Sequence, residues 1–115
     1  MKYNLEGRVF TTHSNTSNGE VGEDTRFYYH QKGDIVWAKY SGGEVRKGHL
    51  IAKVLDNGQL DMRYHHINDK GELMLGKCIS TPSVTQDKRI LFDEEWQWLS
   101  GDMSSGHSQI IEIKE

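Results

Sequence analysis

The sequence predicts an all-β fold: a single eight-stranded, mostly up-and-down antiparallel β-barrel occupying residues 1–115 as one domain. Three observations carry this. From Gly33 to Ser80, short runs of β-branched, aromatic and aliphatic residues alternate with polar ones. Turn signals at Ser41-Gly42-Gly43, Asp56-Asn57-Gly58 and Asn68-Asp69-Lys70-Gly71 separate the runs, the spacing of an antiparallel meander. The chain holds 12 glycines against 1 proline; glycine supplies the positive φ of tight hairpins, whereas proline would remove ladder hydrogen bonds. No stretch sustains a helical apolar period, so no helix longer than a turn or two is expected. Closing such strands into a barrel removes the edges a flat sheet would expose. A half-barrel or a two-sheet sandwich is the alternative.

Each element has its own justification. In the first strand, Tyr3, Leu5, Gly7, Val9 and Thr11 form an apolar face against Asn4, Glu6, Arg8 and Phe10. The polar, glycine-bearing stretch His13 to Gly22 reads as an exposed, mobile connection at a barrel mouth. The second strand is Thr25 to His30, and the third, around Ile35 to Tyr40, has apolar residues on both faces and is expected to be covered on both. The fourth runs from Glu44 to Leu55 and the fifth from Gln59 to Ile67, joined by a type I turn with Gly58 in the left-handed region. In the fifth, Leu60, Met62, Tyr64 and His66 point inward, and Asp61, Arg63 and His65 outward. The sixth spans Glu72 to Ser80 and stops near Pro82, the seventh Arg89 to Leu99, and the eighth Ser108 to Lys114.

With 14 Lys plus Arg against 17 Asp plus Glu, the net charge is −3 and the pI is about 6.1. Nothing here steers the chain to nucleic acid or to an anionic membrane surface, and no apolar run is long enough for a membrane span. Cys78 is the lone cysteine, so no intrachain disulfide forms and a reducing, cytoplasmic setting is the simplest fit. The opening MKYNLEGRVF has no apolar core or cleavage site, so no signal peptide is expected.

The seventh strand is the most unusual. If Phe92, Trp96 and Trp98 point inward, the period of two carries Glu94 inward with them. A buried carboxylate needs a partner. It finds one in an ion pair with Lys77, Arg46 or Arg63, is turned outward by a bulge, or serves as a polar anchor in an aromatic pocket. The ligand-binding set on this last reading is Glu94, Trp96, Trp98, Tyr64, His66 and Trp37. The six histidines show no ligand spacing, although His30, His49 and His66 would have to meet across strands to hold a metal. Neither a metal nor a cofactor is expected. Cys78 reads as a small buried hydrophobe, and no nucleophile elbow, Walker motif or dinucleotide fingerprint occurs, so no catalytic residue is assigned.

The strings FYYHQKGDIVWAKYSGGEVRKGHLIAKV, GQLDMRYHHIN, GELMLGKCISTP and EEWQWLSGDMSSGHS resemble a family of small, uncharacterised bacterial proteins often labelled N-acetylglutamate synthase. The resemblance runs from Phe27 to Ile113. Enzymes of that name present acetyl-CoA with an Arg/Gln-x-x-Gly-x-Gly/Ala loop at a helix N-terminus. The chain holds no such loop, so the label transfers no catalytic residue and that activity is not expected. In plan the chain is similar to lipocalins and to the streptavidin-type biotin-binding barrels, but the lipocalin Gly-x-Trp has no tryptophan at Gly7-Arg8-Val9.

Three functional readings follow. The first is a non-enzymatic module holding a small, partly apolar ligand in the barrel. The second is a structural protein with a side-chain-filled barrel that pairs with a partner, a homodimer included. The third is an enzyme using Glu94 or His66 as acid or base; the balance lies against it.

Overall fold

A computed structural model describes residues 3–114. Eight strands follow in chain order: β1 (Val9–Asn15), β2 (Arg26–Lys32), β3 (Ile35–Gly42), β4 (Val45–Val54), β5 (Leu60–Asn68), β6 (Leu73–Val84), β7 (Ile90–Trp98) and β8 (Ser105–Glu112). Each pairs antiparallel with the next, and β8 returns to β1, so the sheet closes on itself as a barrel. The predicted plan is the observed one.

Alternation sets the inside. Val36, Ala38 and Tyr40 of β3, Leu50, Ala52 and Val54 of β4, and Phe92, Trp96 and Trp98 of β7 are buried, while the residues between them face out or lie near the surface. One half of the barrel is solid. Phe10, Tyr29 and Phe92 pack ring on ring, with centroids 4.8 to 6.1 Å apart, among fully buried Leu60, Ile110 and Val36. Side chains of this size each contribute about 1.5–3 kcal/mol on full burial.

The expected register of β5 holds: Leu60, Met62 and His66 are buried, Arg63 is exposed, and Tyr64 and Asp61 are half-buried. Gly58 takes φ 88°, and its amide donates to Leu55 O at 2.9 Å, closing the β4–β5 turn.

Four expectations need correction. Residues before Val9 are not strand: Gly7, at φ 76°, turns the chain, with the Arg8 amide donating to Leu5 O. That turn resets the alternation, so Phe10, not Val9, enters the core. On β3, only one face is covered; Ile35 and Trp37 are 49% and 41% exposed on the outside, because closing the barrel leaves each strand a single inner face. β6 runs through Pro82, which pairs with Phe92. Since β5 begins opposite Ser80, that stretch of β6 is laddered on one side only, where a missing N–H costs little. Finally, the connection after β1 is not loose: the Thr16 amide donates to His107 O, and the Glu44 amide to Glu20 O, tying it to two other parts of the barrel.

Candidate functional site

The other half of the barrel is hollow, and β7 explains why. Glu94 lies on the inner face between Phe92 and Trp96, opposite Ser80 of β6 and Ser108 of β8, with no bulge at this point. Ser80 Oγ donates to Glu94 Oε2 at 2.6 Å and Ser108 Oγ to Oε1 at 3.4 Å. The cations suggested by sequence are elsewhere. Arg63 pairs with Asp61 outside the barrel at 2.8 Å, and Arg46 and Lys77 are exposed. The carboxylate is therefore deep, hydrogen-bonded by neutral hydroxyls, and without a protein cation among the described residues. Burial pushes its pKa up to about 7, the hydrogen bonds from Ser80, Ser108 and Cys78 pulling the other way.

Glu94 borders a cavity of about 50 Å³. Its walls are Phe27, Tyr29, Tyr40, Tyr64, Trp96 and Trp98, with Leu50 and Met62 filling between them. Space for so many rings is made by inward-facing glycines. A Cβ on Gly76 would overlap the Tyr64 ring, one on Gly48 would lie 2.6 Å from Tyr40, and one on Gly106 2.5 Å from Trp96. Each ring thus lies close against the neighbouring backbone. The Tyr29 hydroxyl, also on the cavity wall, is buried with no hydrogen-bond partner among the described residues.

The β1–β2 connection crosses the mouth as a strap. Glu20 reaches inward: His66 Nε2 lies 2.8 Å from its Oε1, and Asn68 Nδ2 donates to its Oε2 at 3.0 Å. A carboxylate only accepts, so Nε2 carries the proton and Nδ1 accepts from Tyr40 Oη at 2.9 Å. Burial holds the His66 pKa below its usual value, the Glu20 hydrogen bond opposing it, which suits this neutral tautomer. Asn15 Nδ2 donates to Val21 O, and Trp98 Nε1 to Asn18 O.

Of the residues singled out from sequence, Glu94, Trp96, Trp98, Tyr64 and His66 line this cavity together. Trp37 does not. It stands on the outer face, stacked on His30 at 5.7 Å between centroids, because Val36 and Ala38 occupy the inward positions of β3. The three histidines that a metal would need to bring together across strands lie apart: His49 sits against His65 outside, His30 pairs with Glu6, and His66 is inside. Cys78 is buried, and desolvation pushes its thiol far up, the opposite of an activated nucleophile.

Glu20, Ser80 and Ser108 escape sequence reasoning. Period-two alternation on β6, applied to Gly76, Cys78 and Ser80, would place Ser80 inside. Its pairing with Glu94 depends on register, and the reach of Glu20 depends on how the strap folds.

A family model described as Avidin-like protein matches residues 3–113. This chain belongs to the avidin-like family. The match spans all eight strands of the barrel. Among curated proteins and among solved structures, none matches the chain.

Proposed function

We propose that this avidin-like barrel is a non-enzymatic binding module that takes a small, partly apolar molecule into its hollow half, with Glu94 as the polar anchor and Trp96, Trp98 and Tyr64 as walls. One observation carries the reading: an aromatic cavity encloses a buried carboxylate that no protein cation among the described residues neutralises. A group so placed is costly in an apolar interior unless something else satisfies it, and a ligand does so. The cavity's size, near 50 Å³, fits a head group rather than a whole drug-sized molecule, which typically fills ~300 Å³ or more. A larger ligand enters with the strap displaced. Native mass spectrometry of the expressed protein tests this. The expected result is a retained or added small molecule that is lost in Trp96→Ala; a bare barrel that takes up nothing under any loading condition overturns it.

A second reading, self-association, is favoured by the outer surface. Trp37 and Ile51 are paired neighbours on β3 and β4, 41% and 59% exposed, next to Ile35 at 49%. An apolar cluster of this kind suits a partner surface, and we propose a second copy as the partner. Sedimentation of the wild type against Trp37→Lys decides it: a dimer that Trp37→Lys dissolves supports it, and a monomer at all concentrations sinks it.

A further inference from the structure

We infer that the ligand is a small organic cation whose ammonium or guanidinium head sits against Glu94 among the aromatic walls. This rests on the binding reading above and specifies its chemistry. Charge comes first. Glu94 and Glu20 both border the cavity, and among the described residues neither lysine nor arginine does. An anionic ligand would meet two carboxylates with nothing to offset them. A neutral apolar ligand would strip water from Glu94 and leave it with two hydroxyl donors only.

Hydrogen-bonding capacity points the same way. An ionised carboxylate offers about four acceptor sites; Ser80 and Ser108 each occupy one, so those remaining call for N–H donors. Tyr29 adds a hydroxyl oxygen without a partner. The rings supply a third reason. Tyr64 and Trp98 meet edge to face, as do Trp96 and Trp98, with centroids 5.9 and 5.6 Å apart. Rings turned against one another in this way line a space with electron-rich faces as well as edges, and such faces attract a cation that has shed its water. Room for a few waters, each needing ~10–15 Å³ by this kind of measure, is room for an alkylammonium or guanidinium head whose tail leaves past the strap.

The test uses three probes of one shape and different charge: n-propylammonium, n-propanol and propionate. Each is titrated at about pH 8 into the full-length ¹⁵N-labelled protein, following the indole N–H resonances of Trp96 and Trp98. The expected result is saturable movement with propylammonium at least about tenfold tighter than with propanol, no saturation with propionate, and loss of that preference in Glu94→Gln. Propanol binding as tightly as propylammonium overturns the cation while leaving the binding module intact. Silence from all three overturns both. Because the charge series runs on the unaltered protein, its outcome decides the matter even if Glu94→Gln folds poorly; Glu20→Gln, at the rim, is then the second variant and is expected to weaken propylammonium alone.

Discussion

Ser80 donates its hydroxyl hydrogen to Glu94 across 2.6 Å, from the position opposite it on the neighbouring strand. The bond favours the charged carboxylate, whereas burial favours the neutral acid. Burial prevails, and the group is left near the middle of the working pH range, with a pKa of about 7.

Glu94→Gln is expected to stabilise the barrel in base and to do nothing in acid. The folded-state pKa lies above the ordinary 4.5, so the native state holds its proton longer than the unfolded chain. Below pH ~4.5 both states are protonated and no difference arises; between there and ~7 the native state loses stability, and above ~7 the full penalty, on the order of 3 kcal/mol, is present. Tyr29, Tyr40, Tyr64 and Cys78, which share the interior, have pKa values raised by burial and stay neutral throughout. His66, depressed, changes both proteins alike. Urea melts of the two at about pH 4 and pH 8.5 check this; equal midpoints in base would refute it.

The strap should loosen when its latch is removed. Glu20→Ala leaves His66 Nε2–H without an acceptor inside the barrel, a loss of about 1–3 kcal/mol. Amide exchange at residues 16–25 should quicken while β4 and β5 keep their protection. Acid should act in the same direction. With its folded pKa depressed, His66 contributes stability above about pH 6.5 that falls away as pH drops. Uniform acceleration across the barrel would show that the latch is not local.

Gly76→Ala tests the close approach of Tyr64. A methyl there would run into the ring, so the ring must swing into the cavity. The expected outcome is a loss of about 1–3 kcal/mol, typical of overpacking, together with a shifted Trp98 indole resonance, since Tyr64 packs edge-on against Trp98. An unchanged melting curve and an unmoved resonance would refute the packing role.

Cys78 should resist thiol reagents in the native protein and react at once after unfolding. It is 4% exposed, and burial keeps the thiol protonated. Stoichiometric labelling within seconds under native conditions is the contrary outcome.

Most of the fold is legible in the sequence because a closed antiparallel meander uses local rules: alternation places Leu60, Met62 and His66 inside, and turn glycines mark the hairpins. The same alternation finds five of the cavity's polar and aromatic residues on β5 and β7. It fails where phase or register depends on something nonlocal. Tyr3 to Thr11 has the pattern of one strand, but the turn at Gly7 shifts its phase. Trp37 has the chemistry of a pocket residue, yet its neighbours Val36 and Ala38 already claim the inner face. Ser80, Ser108 and Glu20 reach the site through cross-strand pairing and the path of a strap, which no local pattern encodes.

The barrel's one long-range join has a dynamic side. Seven of its eight strand pairings link neighbours in sequence, while the eighth, β8 to β1, closes over nearly the whole chain. Its clasp is Glu112, which accepts from Arg8 Nη1 at 2.7 Å across 104 residues and from the Ile90 amide at 3.0 Å. Closing so long a loop carries the largest entropic cost of any pairing here, so this seam is the natural first place for the sheet to part. Ser108 sits on β8. Each parting withdraws one of the two hydroxyls from Glu94 and admits water to a carboxylate that ionisation has made expensive to enclose. Breathing at the seam and the charge on Glu94 are thereby one coupled equilibrium, and alkali, by ionising that single side chain, makes the whole cylinder restless.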